Sequence, residues 1–335
     1  MTLTLSLILL LGAVEIDLSL NQLTGTIPEE LYRLENLGNL LLNSNHQQIQ
    51  GSWQGGLSGT ISPNITNLSR LSVLHLDNNL LTGTIPDGVW SLTFLTELFL
   101  GGNNYNNNLS SSIGNLVNLQ QFDIESAGIT GTIPSELWSL DKLFYLNIGL
   151  NLMTGTISTD VSKLKRLTQL SLKSSPDPHV SQHFSGTFPT TIWQLTKLQY
   201  LYISYNSLTG TIPTAVEAMV DLVILDLGSN RCGDLYLPPS LPPSGRSMRT
   251  SLDNSELELV VLLVVDRQSE WHDSTRDLLA READYLVLGS QSIHVRLGAY
   301  AAAISSTARA FSLLFSCHCC VCLSVCLSLV VSFLT

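Results

Sequence analysis

Asn79-Leu80-Leu81-Thr82-Gly83-Thr84-Ile85-Pro86 recurs almost letter for letter as Asn21-Gln22-Leu23-Thr24-Gly25-Thr26-Ile27-Pro28 and as Asn206-Ser207-Leu208-Thr209-Gly210-Thr211-Ile212-Pro213. Working outward, the glycine position falls at Gly59, Gly83, Asn107, Gly131 and Gly155, each 24 residues after the last, and Gly186 to Gly210 repeats the step. Two steps are longer: Gly25 to Gly59 is 34 and Gly155 to Gly186 is 31, so 10 and 7 residues are inserted into a constant unit. Periodicity on this scale fixes architecture before any single residue is interpreted.

One unit shows what the spacing does. After Ile85-Pro86 come Val89, Leu92 and Leu95, three apart, as on a tight 3₁₀ turn. Leu98 and Leu100 sit two apart and point to one face of a short strand. Each such side chain contributes roughly 1.5–3 kcal/mol when fully buried. A single unit has nothing to bury them against, so units must stack. The column Asn21, Asn45, Asn79, Asn103, Asn151, Asn206 and Asn230 follows each strand, where an amide can bond backbone groups that no strand pairs.

The pattern LxxLxLxxNxLxGxIPxx resembles the plant-type leucine-rich-repeat family over roughly residues 16–230. The resemblance implies an α/β repeat solenoid: a curved horseshoe with a parallel β-sheet on its concave face and 3₁₀ or short helices and turns on the convex side. It also implies a non-enzymatic recognition module, usually extracellular, like the ectodomains of receptor-like proteins and kinases. No kinase signature, nucleophile motif or phosphate loop is seen, and no cofactor is expected.

The chain has 335 residues and a net charge of −11. Residues 14–230 hold 17 Asp and Glu against 8 Lys and Arg. Nucleic acid, which needs a basic footprint, is therefore not an expected partner. A protein, a peptide or a glycan suits this surface, and the oligomeric state is left unassigned.

Strand positions between the buried leucines should face the concave surface. The central column reads Asp17, Leu41, His75, Phe99, Asp123, Asn147, Ser171, Tyr202 and Asp226. Together with the flanking columns this predicts an acidic and aromatic patch of Glu97, Phe99, Gln121, Asp123, Glu125, Tyr145 and Asn147, and a second patch of Tyr200, Tyr202 and Tyr205. Exposed aromatics on a rigid sheet are anchors for peptides and sugars. Asp123 and Glu125 also raise glycoside hydrolysis, but both are expected to point outward from an open, wet curve, and no catalytic residue is assigned.

Other features weigh less. Thr26, Thr60, Thr84, Thr132, Thr156, Thr187 and Thr211 form one column, with Thr24, Thr82, Thr130, Thr154 and Thr209 beside it. A flat threonine ladder suits ice or crystal binding; a small polar residue preferred in the turn explains it more simply. The insertion at residues 46–56 reads as a surface loop carrying Trp53. His179 and His183 in the second insertion, residues 174–183, lack a rigid frame among prolines, so no metal site is assigned.

The sequons at Asn64, Asn67 and Asn108 are expected to be exposed and fit a secreted route. Residues 1–13 read either as a weak signal peptide or as a truncated first repeat. The solenoid is set at residues 14–230, a Pro/Ser linker at 231–254 and an unassigned segment at 255–309. Residues 310–335 are apolar and Cys-rich. The stretch 310–334 reads as a membrane span, or as the translation of a tandem CTGT repeat. Membrane or extracellular placement follows from the first readings; an intracellular scaffold, or a fragment of a larger receptor, is the alternative.

Overall fold

A computed structural model describes residues 12–49, 52–176, 183–210, 214–230, 246–249 and 260–265. The apolar run before residue 12, the side chain of Trp53, Asp177, His179 and the apolar tail 310–335 lie outside the described residues. The chain divides into two units, 1–268 and 269–335, and every described residue belongs to the first.

Each repeat begins its sheet with a three-residue strand. These strands are β1 (Glu15–Asp17), β2 (Asn39–Leu41), β3 (Val73–His75), β4 (Glu97–Phe99), β5 (Gln121–Asp123), β6 (Tyr145–Asn147), β7 (Gln169–Ser171), β8 (Tyr200–Tyr202) and β9 (Ile224–Asp226). All nine pair in parallel and in order. The register aligns Glu97, Gln121 and Tyr145 in one column and His75, Phe99, Asp123 and Asn147 in the next. The columns read from the spacing are therefore the columns of the sheet. β10 (Arg246–Arg249) and β11 (Val260–Val265) follow, and β11 pairs antiparallel with β9 and with β10.

The side chains spaced by three close 3₁₀ turns on the opposite side of the array, among them Pro63–Asn67, Asp87–Ser91 and Ser135–Ser139. No α-helix occurs among the described residues. Each turn whose entry residue is described is entered through a proline or a serine. Proline fixes φ there and needs no hydrogen bond. Serine caps instead: Ser62, Ser110 and Ser158 accept the backbone N–H two residues on. Leu98, Leu100 and their equivalents fill one continuous core, with Tyr32, Trp90, Trp138 and Trp193 buried beneath the turns.

The asparagines join the repeats. Asn79 Nδ2 donates to Leu42 O at 2.9 Å and Leu76 O at 3.0 Å, while its Oδ1 accepts Leu57 N–H at 3.0 Å. Asn103 repeats this one unit later, holding Leu76 O, Leu100 O and Leu81 N–H, each at 3.0 Å. Each amide thus ties its own repeat to the one before. At Ala127 the column has no amide, and Tyr105 N–H bonds the Ala127 carbonyl at 2.8 Å instead.

A second set of strands runs beside the first. The insertion expected as a surface loop belongs to it: His46–Ile49 pairs antiparallel with Ser52–Gly59, which also runs parallel to Thr24–Thr26 and to Leu80–Gly83. Ile49 pairs with Ser52, the last pair of this antiparallel ladder. These strands form separate sheets of two, three and five members among the described residues, and hydroxyl side chains tie neighbouring repeats within them. Ser58, Thr82, Thr154 and Thr209 donate to a glycine carbonyl of the preceding repeat at 3.2–3.4 Å. The outer threonines lay their methyl groups over the next repeat's glycine: a Cβ added at Gly83 would lie 2.7 Å from Thr60 Cγ2. Gly83 has φ +80°, which a side chain would strain further.

Candidate functional site

β3 to β6 bring the first predicted patch together and extend it. The His75 and Phe99 rings stack at 4.3 Å with an interplanar angle of 4°, and Phe99 meets Tyr145 at 6.1 Å. The row spans four strands, β3 to β6: His75 and Phe99 are equivalent positions on neighbouring parallel strands, about 4.7–4.9 Å apart, and Tyr145 reaches Phe99 from the flanking column two strands on. Spacing pointed to Phe99 and Tyr145; His75 stood in the column without being assigned to the patch.

Beside the rings lies a carboxylate held from three sides. Tyr145 Oη donates to Asp123 Oδ2 at 2.8 Å, Asn147 Nδ2 donates to the same oxygen at 3.1 Å, and Glu125 N–H donates to Oδ1 at 2.8 Å. Asn147 also reaches Glu125 Oε2 at 3.1 Å. Asp123 and Glu125 are thus not two wet, outward-pointing acids. Asp123 is half-buried, and burial raises its pKa against the three donors. Asp77, one column over, is pushed up to about 6 by burial, with Asp123 adding repulsion, and its Oδ1 is buried with no hydrogen-bond partner. Asp77 was absent from the predicted patch; its column position alone could have placed it there.

His75 Nε2 lies 3.1 Å from Glu97 Oε2. Burial lowers the His75 pKa more than Glu97 raises it, so at neutral pH the contact is a hydrogen bond rather than an ion pair. Gln121 is half-buried between Glu97 and Tyr145 in its column. Asn147, only 5% exposed, orients its neighbours rather than offering surface.

The second predicted patch differs from its expectation. Tyr202 is 9% exposed and presents little ring. Tyr205 sits past the strand at φ +57°, with Lys173 Nζ 5.8 Å from its ring centre. Tyr200 stays half-buried on the sheet, and burial raises its pKa. Among the described residues no group of His, Cys, Asp and Glu could hold a metal ion, and His183 Nδ1 pairs with Ser174 Oγ at 2.8 Å. Asn64 and Asn67 stand exposed on one turn, with Asn64 Nδ2 bonded to Glu29 Oε2 at 3.0 Å. Asn108 is exposed, and its Oδ1 accepts Thr130 Oγ1 at 2.7 Å.

The family model described as Leucine Rich Repeat matches residues 14–34, 70–92 and 197–219. The array is a plant-type leucine-rich-repeat solenoid. Among solved structures it is similar to the plant peptide hormone receptor RGFR1 in complex with RGF2, at 34% identity and TM-score 0.57, over 65% of this chain and 32% of that one. It is also similar to a TDR receptor, at 29% identity and TM-score 0.56, over 63% of this chain and 34% of that one. The Arabidopsis receptor kinase HAESA, in complex with the peptide hormone IDA and the co-receptor SERK1, matches at 25% identity and TM-score 0.53, over 66% of this chain and 38% of that one. This leucine-rich-repeat chain spans about a third of the length of these three structures. No match was found among curated protein sequences. No helix of the described residues is long and apolar enough to cross a membrane.

Proposed function

We propose that the leucine-rich-repeat array is a non-enzymatic recognition module whose concave face binds a peptide or a peptide segment of a protein. The observation that carries this reading is the row His75–Phe99–Tyr145 lying against the Asp123 carboxylate. Flat rings on a rigid sheet supply contact area at little entropic cost, and a preformed carboxylate supplies direction. Glu15, Asp17, Asp77, Glu97, Glu125 and Asp226 on the same face favour a ligand with basic residues and disfavour nucleic acid. The receptors similar to this chain include two structures solved with peptide hormones, which supports a peptide over a glycan on this face.

Phe99→Ala with Tyr145→Ala tests the site. A phage-displayed random peptide library is selected on the full-length chain, and the enriched peptides should carry Lys or Arg beside an aromatic residue. The double variant should lose them while keeping its circular dichroism. Equal capture by the double variant moves the ligand surface away from β4 to β6.

We further propose that the chain enters the secretory route, displays its concave face outside the cell, and is glycosylated and membrane-attached through residues 310–334. Peptide capture there would serve signalling. A glycosidase gel-shift on protein from its own host, with membrane and soluble fractions separated, tests this. Unshifted soluble protein would turn the search to cytosolic partners.

A further inference from the structure

The cations of this acidic chain gather on the edge where each 3₁₀ turn leads into its concave strand. Three residues before β3 to β8 stand Arg70, Phe94, Asn118, Lys142, Arg166 and Lys197. Two residues further on, backbone bonds of 2.7–2.9 Å, from Thr96 N–H to Ser72 O up to Gln199 N–H to Thr168 O, carry the parallel ladder across these repeats. The six positions therefore stack in one column, about 24 Å long at the spacing of parallel strands. Residues 14–230 hold 8 Lys and Arg, and five of them, Arg70, Lys142, Lys165, Arg166 and Lys197, lie in this column or the one beside it. Asp141 is the one carboxylate in those two columns over the same repeats.

Arg70, Lys165, Arg166 and Lys197 are exposed, and among the described residues none of the five cations forms an ion pair. Lys163, on the turn before Lys165, pairs with Asp160 at 3.0 Å instead. Between Arg70 and Lys142 the edge turns apolar. Phe94 is 63% exposed, and Val117, in the neighbouring column one repeat on, is 57% exposed. Asn118 fixes this junction: its Nδ2 donates to Thr93 O at 2.9 Å, and its Oδ1 accepts Lys142 Nζ at 2.7 Å. The backbone beside Phe94 and the nearest cation are thus tied together before any partner arrives.

An aromatic and a branched aliphatic side chain set between cations have the composition of a protein interface, an apolar anchor with a charged rim. A linear polyanion fits less well. It would meet no cation at Phe94 or Asn118, two successive steps of the column, and its charges would go unmatched there. The sign is also opposite to that of the concave face, where Glu97, Glu125 and Asp226 stand, so one ligand chemistry cannot serve both surfaces.

We infer that this edge docks a protein segment presenting acidic side chains beside an apolar one, on a surface separate from the concave peptide face. The test is selection of a phage-displayed random peptide library on the full-length chain, followed by affinity measurement on the enriched peptides. A class rich in Asp and Glu beside an aromatic or aliphatic residue should emerge and bind equally to Phe99→Ala with Tyr145→Ala. Lys165→Glu with Arg166→Glu and, separately, Phe94→Ala should each weaken that class by about tenfold or more, with circular dichroism unchanged. Sodium polygalacturonate, an anionic polymer without apolar side chains, should bind more weakly and ignore Phe94→Ala. The basic peptides expected on the concave face report separately, so failure of either class leaves the other legible. Absence of an acidic class overturns the proposal. So does undiminished binding by Phe94→Ala, which would leave a plain electrostatic patch open to any polyanion. Loss of the acidic peptides in Phe99→Ala with Tyr145→Ala would move them to the concave face and overturn it equally.

Discussion

Tyr145 Oη donates to Asp123 Oδ2 at 2.8 Å across neighbouring strands, joining the aromatic row to the half-buried carboxylate. Tyr145→Phe keeps the ring and deletes this donor, leaving Glu125 N–H and Asn147 Nδ2 on Asp123. Hydrogen bonds to charged groups contribute about 1.5–3 kcal/mol, so urea denaturation at neutral pH should show a loss of about 1–2 kcal/mol. Peptide capture through the ring face should survive Tyr145→Phe and fail in Phe99→Ala.

The raised pKa of Asp77 makes stability depend on pH. Its folded value of about 6 lies above the ordinary 3.8, so between those values the folded state holds a proton that the unfolded state has released. Stability therefore falls as pH rises from about 4 to about 6, by a few kcal/mol at most. His75 acts in the opposite sense: its lowered pKa makes the folded state resist protonation as pH drops below 6.5. Asp77→Asn should flatten the loss on raising pH and leave the His75 limb in place. Denaturation midpoints at a series of pH values read both limbs, and an unchanged profile in Asp77→Asn would show that Asp77 does not set it.

Gly83 and Thr60 form a contact with no spare room. Gly83→Ala puts a Cβ at φ +80° and 2.7 Å from Thr60 Cγ2. Overpacking and strain of this kind cost about 1–3 kcal/mol. Thr60→Ser removes the methyl and should recover part of that loss, leaving the backbone strain. A double-mutant cycle on thermal denaturation separates the two, and purely additive effects would mean that the methyl contact is not the cause.

Asn103→Ala removes the partner of Leu81 N–H and donors to Leu76 O and Leu100 O. Each buried group left unpaired costs about 1–3 kcal/mol, so the loss should exceed that of any single exposed substitution in the array. Hydrogen exchange should rise first at Leu81, 22 residues away in sequence.

The columns of the sheet were legible because a fixed repeat length makes register a matter of counting: Glu97, Gln121 and Tyr145 align as the spacing requires. Depth was not legible. Asn147 and Tyr202 occupy outward-facing positions, yet neighbouring side chains close over them, and Asp123 is half-buried. Periodicity assigns a face but not the size of the residues flanking it. The threonine columns were visible as letters, but their use emerged only with the glycine contacts. The hairpin at 46–59 was missed although Gln50-Gly51 offered a turn signal, because glycine and polar residues there also suit a loop.

The asparagine column has a gap at Ala127, where backbone alone makes the link that amides make between Asn79 and Asn103. Ser175 is a second position of the column without an amide, and a chain with clamps missing does not yield evenly under load. Stretched from its two ends, the array would give way at these seams, one of which lies between the strand of Phe99 and the strands that carry Asp123 and Tyr145. At that seam Phe99 would part from Tyr145 and Asp123 before the remaining repeats unravel, and a tug on the array would release a peptide held across it without unfolding the whole.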